Sequence, residues 1–338
     1  MNYDNPPRAV AWWLFICCAM VFVTMVVGGV TRLTHSGLSI VEWKPLIGAL
    51  PPLSESHWLE LFAKYQQTPE FQKVNHDMTL DGFKFIFWWE WAHRLSGRLI
   101  GVVFLLPYLF FLARGYLRGT LAAKVFGFFI LGGLQGAMGW YMVKSGLVDD
   151  PRVSQYRLAA HLGLAFILFG LMFWTGLGML QRRAVPPAPT LTHRLGNGLV
   201  VLVFIMVLTG ALVAGIRAGL AYNTFPLMNG HFLPPESFVV DPWWLNFFTN
   251  MALVQFDHRL IAWALMGLIP WLAWRIWSEV PAARTPAAVL VLWLAAQVTL
   301  GIATLLLQVP VALGAAHQAG AMVLFGLLLW AIHAHRRA

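Results

Sequence analysis

EWAHRLSGRL, residues 90–99, sets Glu90, His93, Arg94 and Arg98 directly against a run, 99–113, that contains no Asp, Glu, Lys or Arg. That run is too short to cross a bilayer, which takes about 20 residues. It becomes a full span only if the charged decapeptide lies inside the same helix. QFDHR at 255–259 stands in the same relation to the charge-free run 260–274. Longer charge-free runs cover 9–31, 125–143, 158–181, 195–216 and 285–335. The last is long enough to cross twice, with Gln308-Val309-Pro310 as the turn. The fold class is therefore an all-α integral membrane protein with eight transmembrane helices.

Composition agrees, with 59% hydrophobic residues, 11% charged residues and a mean hydropathy of +0.67 across 338 residues. The first apolar run exceeds the core of a signal peptide and no small-residue cleavage site follows it, so it reads as the first span. Arg114, Arg118, Lys124, Arg182, Arg183, Arg194, Arg275 and Arg284 fall on the side of the N-terminus, joined by Arg336 and Arg337. Lys144, Arg152, Arg157 and Arg217 fall on the other side. The excess of positive charge predicts that both termini are cytoplasmic, in the inner (cytoplasmic) cell membrane. The net charge of +9 then reflects topology and anionic lipid, not nucleic acid. The two cysteines, Cys17 and Cys18, lie in the first span and form neither a disulfide framework nor a zinc spacing.

An internal repeat organises the chain. GGVTRLTHSGL at 28–38 lines up with GALVAGIRAGL at 210–220, and KPLIG at 44–48 with FPLMNG at 225–230. WAHRL and FDHRL follow, centred on His93 and His258, with Pro107 and Pro270 later in the same helices. QGAMG at 135–139 matches QVTLG at 297–301, and AAHLG at 159–163 matches AAHQA at 315–319. The expected organisation is two pseudo-symmetric four-helix bundles. The first is 1–180 with a long outer loop, 32–89; a Pro-rich basic linker spans 181–194; the second half is 195–338. An even number of helices per half makes the repeat a parallel one.

The repeat turns one odd histidine into four. His93 and His161 lie near the starts of the second and fourth spans, His258 and His317 near those of the sixth and eighth, all toward the outer face. A polar ring in hydrocarbon is costly unless partnered, and histidine pairs on facing helices of a bundle hold heme iron axially. The bland alternative for each is a helix-to-helix hydrogen bond. Arg94, Arg98 and Arg259 stand where they could neutralise heme propionates. The recurrent glycines read as close helix packing. His35, His57, His76, His193, His231, His333 and His335 are read as loop or tail residues, solvated or structural.

The halves differ at one position. Glu90 precedes His93 by one helical turn, whereas Gln255 precedes His258. A carboxylate in one half only marks that half as the chemical one, because a proton acceptor is useful beside an oxidised carbon; the alternative is that Glu90 caps the helix or pairs with Arg94. SHWLELFAKYQQTPEFQKV, inside the outer loop, suggests short amphipathic helices over the outer face, covering or admitting a bulky apolar ligand.

GGVTRLTHSGLSIVEWKPLIGALPPL at 28–53, EWAHRLSGRLIG at 90–101, YNTFPLMNG at 222–230 and DHRL at 257–260 resemble the heme A synthase family of proteobacteria and mitochondria over nearly the whole chain. The resemblance implies oxidation of a ring methyl of heme O to a formyl group, giving heme A for terminal oxidases. It implies heme B as cofactor on His258 and His317, the substrate heme site at His93 and His161, and a required carboxylate at Glu90. Heme O synthase and cytochrome oxidase assembly factors are the implied partners; a homo-oligomer stays open. Residues 32–89 lack the outer-loop cysteine pair of one branch, so a thiol mechanism does not carry over. Two other readings stand beside this one. A diheme b-type quinol oxidoreductase fits the histidines but not Glu90 against Gln255, and a repeat transporter would want polar groups nearer mid-membrane.

Overall fold

The computed structural model describes residues 8–43, 47–147, 151, 153–180 and 191–337. Eight long helices carry most of them: α1 Arg8–Leu33, α2 Leu80–Ala113, α3 Gly119–Gly146, α4 Gln155–Leu180, α5 Leu191–Gly215, α6 Met251–Glu279, α7 Arg284–Leu306 and α8 Val311–Arg337. All are long and apolar enough to cross a membrane, and no strand occurs among the described residues. This is a multi-pass all-α membrane protein. The charged approach segments sit inside α2 and α6 as expected, and α7 turns into α8 through Gln308 and Val309, both in the left-handed region at φ 60° and 58°.

The apolar core runs through α1, α4, α5 and α8, with α2 and α3 flanking one side and α6 and α7 the other. Proline is tolerated inside α2 because its cost is met locally. Pro107 cannot donate to the carbonyl four residues back, and Trp13 of α1 donates its indole N–H to that carbonyl, Val103 O, at 2.9 Å.

Three expectations need correction. First, the outer loop was placed at 32–89, but α2 already begins at Leu80, capped by Thr79, whose side chain accepts from Gly82 N. At 34 residues α2 measures about 50 Å at 1.5 Å per residue, so it outruns the hydrocarbon core. Its extra turns are stabilised because Phe83, Ile86 and Phe87 share a face and bury against Tyr65. Tyr65 lies on a short helix, Glu55–Gln66, which leads to a second, Pro69–Lys73; Ser54 and Thr68 cap them. Second, the linker was placed at 181–194, yet Leu191–Arg194 open α5; the remainder, with Arg182 and Arg183, lies outside the described residues, as do Lys44 and Arg152.

Third, His193, His333 and His335 are not loop or tail residues. They belong to α5 and α8 and are 5%, 2% and 7% exposed. His335 bridges His193 Nε2 at 3.0 Å and Glu279 at 2.8 Å. Thr192 donates to Glu279 at 2.8 Å, and Arg275 bonds Glu279 at 2.6 Å. Burial of His193 and His335 is possible because they find hydrogen-bond partners, and the cluster ties α5, α6 and α8 together at the end of the bundle opposite the short helices Glu55–Gln66 and Pro69–Lys73.

The cap formed by the short helices Glu55–Gln66 and Pro69–Lys73 contains one unusual acid. Glu70 is buried beside Tyr65, whose hydroxyl donates to it at 3.4 Å while accepting from Asn75 at 2.8 Å. Burial, with the Glu90 charge adding, pushes the Glu70 carboxyl up from 4.5 to about 8. The folded cap therefore holds a proton that the unfolded chain releases, so its stability falls as pH rises from about 4.5 to 8. Hydrogen exchange of amides 55–79, corrected for intrinsic rates, should lose protection across that window, and Glu70→Gln should abolish the loss.

Candidate functional site

Each of the four histidines lies against a glycine of the helix before it. A Cβ built on Gly28 of α1 would stand 2.6 Å from His93, and one on Gly210 of α5 would stand 3.0 Å from His258. On Gly301 of α7 it would stand 2.8 Å from His317, and on Gly139 of α3, 3.2 Å from His161. Sequence reading took these glycines for close helix packing. They are instead notches for imidazole rings, and their spacing in the repeat relative to the histidines was the available signal.

A glycine also leaves the carbonyl four residues back open to a second donor. His93 Nδ1 lies 3.1 Å from Thr24 O, four residues before Gly28. His258 Nδ1 lies 2.9 Å from Thr209 Oγ1, one residue before Gly210. That hydroxyl donates its proton to Met206 O at 2.9 Å, so it accepts from the ring. The Gln297 amide donates to His317 O at 2.9 Å, and the same nitrogen lies 3.1 Å from His317 Nδ1. With an acceptor at Nδ1, His93 and His258 carry the proton there, which leaves Nε2 with its lone pair, the form in which histidine binds iron.

The rings come together in two pairs. His161 lies within electrostatic reach of His93, and His258 of His317. Among the described residues no group of three or more His, Cys, Asp or Glu could hold a bare metal ion. Histidines taken in pairs, each ring seated against a glycine, instead suit the axial ligation of a heme. The pairs are also linked across the halves: Gln318, next to His317, sits against Gly29 and donates to Met25 O at 3.1 Å, beside the notch that seats His93.

Glu90 is 2% exposed. Its Oε1 accepts from Arg94 at 2.6 and 3.0 Å; its Oε2 accepts from Ser39 Oγ at 2.7 Å and Ile40 N at 2.8 Å. All are donors, the pattern an ionised carboxylate takes. Arg94 also donates to Ile40 O at 2.8 Å. The second half repeats the arrangement with a neutral amide. Gln255 donates to Ala218 O at 2.8 Å, while Arg259 donates to Gln255 Oε1 at 3.0 Å, Tyr222 O at 2.8 Å and Thr224 O at 2.9 Å. Arg94 and Arg259 therefore clasp the outer loops to α2 and α6, so any contact with propionates is additional to that task. Arg98 lies one turn further along α2.

Eight spans carrying four histidines, each against a glycine of the preceding span, define a multi-pass all-α membrane protein. The model of the cytochrome oxidase assembly protein family matches residues 11–329. Curated relatives named heme A synthase include one from Nitrosospira multiformis, 58% identical over 98% of this chain and 94% of its own length. Those of Nitrosomonas eutropha and Parvibaculum lavamentivorans are 53% and 50% identical, over 97% and 99% of this chain and 94% and 96% of their own. The chain belongs to the heme A synthase family.

Removing one member of a buried ion pair leaves the other charge uncompensated, which costs about 3–5 kcal/mol. Arg94→Ala should lower thermal stability in detergent by that order, whereas Glu90→Gln, which reproduces the Gln255–Arg259 clasp, should cost far less.

Proposed function

We propose that the chain converts heme O to heme A for assembly of terminal oxidases, oxidising a ring methyl to a formyl group. The reading is carried by one observation: two matched histidine sites differ in the group one turn before the first histidine, Glu90 against Gln255. Relatives named heme A synthase at 50–58% identity over nearly the full chain support it. A pair of permanent electron-transfer hemes would have no use for that asymmetry.

In this reading the two halves, 1–180 and 195–338, divide the work. His258 and His317 would hold heme B, and that group would supply a one-electron relay when bound. His93 and His161 take the substrate heme O. Net conversion of the methyl to a formyl group takes up one water and releases four protons and four electrons, the electrons going to an acceptor outside the chain. Glu90, held as a carboxylate 2% exposed, steadies positive charge at the reacting edge or takes up a proton. Arg94 fixes the carboxylate and the loop that roofs it, and the outer helices exclude water from the site. Arg98, with the spare capacity of Arg94 and Arg259, meets the propionates. Both termini are cytoplasmic in the inner cell membrane, and the long apolar tail of heme O implies entry from lipid, with hand-over from a heme O synthase and to oxidase assembly factors.

Glu90→Gln should keep both hemes and stall heme A formation by at least tenfold; unchanged turnover would remove Glu90 from the reaction. Replacing His258 or His317 by Ala should abolish the bis-histidine heme B spectrum. Extraction of hemes from the purified protein, with mass detection, should give heme B plus heme O, heme A or a hydroxylated intermediate, while heme B alone at two equivalents would favour an electron carrier.

A further inference from the structure

The four histidine sites are not equally anchored. The Nδ1 of His93 lies 3.1 Å from the carbonyl four residues before its glycine, that of His258 2.9 Å from Thr209 Oγ1, and that of His317 3.1 Å from the Gln297 amide nitrogen. The matching carbonyl for His161 is that of Gln135, and His161 does not use it: its Nδ1 is buried and has no protein partner among the described residues. The ring is turned as well. In the second half the Gln297 amide nitrogen lies 3.1 Å from His317 Nδ1, whereas the equivalent Gln135 nitrogen lies 3.4 Å from His161 Nε2, the atom that would bind iron. His161 also sits least tightly in its notch, at 3.2 Å against 2.6–3.0 Å for the others.

The supporting helix is loose in the same place. α3, which carries Gln135 and Gly139, is the least buried of the eight spans. Gly133 and Gly136 lie on its exposed face, where a Cβ would meet nothing within 4 Å.

We propose that His93 is the fixed axial ligand of the substrate heme and His161 the releasable one, which lets heme O enter and heme A leave while the cofactor pair stays closed. The inference rests on the assignment of the substrate to His93 and His161. An N–H···O=C bond from the distal nitrogen orients an imidazole and raises its basicity, and losing such a partner typically costs about 10–100-fold in metal affinity. His161 must also rotate its ring away from Gln135 before Nε2 can face iron, and an unanchored ring can do so. The same freedom makes the bond easy to break.

The test uses the full-length protein in detergent, loaded with heme O, in native form and as His161→Ala and His93→Ala, with the heme B spectrum as the internal control of folding. His161→Ala should retain heme O as a five-coordinate, high-spin species that added imidazole returns to low spin. His93→Ala should lose heme O by at least tenfold. In the reduced native protein, carbon monoxide should bind one heme per chain, the heme O, and leave heme B untouched. Retention of heme O by His93→Ala with loss in His161→Ala, equal loss in both, or no carbon monoxide binding in the native protein would overturn the inference. Unchanged heme O content and spin state in both variants would place the substrate elsewhere, and the assignment of the substrate site itself would fall.

Discussion

The contact on which the site depends is an imidazole lying in a glycine notch of the neighbouring helix. Three requirements meet there. A histidine inside a bilayer needs a hydrogen-bond partner, a ligand to iron needs its second nitrogen free, and two helices must approach closely enough for one to serve the other. Only glycine allows all three, because a methyl group would stand 2.6–3.2 Å from the rings. The glycines thus decide where consecutive helices touch, and those touching points decide where the paired rings face each other.

Around this contact the halves diverge by small chemical steps on a shared frame. Arg94 and Arg259 clasp equivalent loop carbonyls, Ile40 and Tyr222, at the same 2.8 Å. What changes is the group between, a carboxylate in one half and an amide in the other. The amide preserves the shape and removes the charge, so the difference is not required for folding. The departure of His161 from the anchoring shared by the other three rings falls in the same half as Glu90. In the proposed reading, the half that handles substrate is thus the more reactive and the less tightly held, while the cofactor half is closed and neutral.

Fixation of the frame comes partly from the far end of the bundle. His335, His193, Glu279, Thr192 and Arg275 knit α5, α6 and α8 into one hydrogen-bonded cluster. Gln318 donates into α1 beside the His93 notch, so the two ring pairs do not move independently of the core helices between them.

The sequence by itself determined the eight spans, the turn at Gln308–Pro310, the four histidines and the Glu90–Gln255 difference. These follow from lengths of apolar runs and from a repeat, both of which are linear properties of the chain. It misjudged His193, His333 and His335 because a histidine near a chain end or a basic loop reads as solvated until its partners are known, and Glu279 is 56 residues away from His335. It placed the start of α2 ten residues late because the turns beyond the membrane are stabilised by Tyr65, not by their own hydropathy. The notches, the clasp on Glu90 and the loose seat of His161 were decided only in three dimensions. Each depends on an angle or a distance between two helices, and periodicity along one helix carries no information about which carbonyl a neighbouring ring will reach.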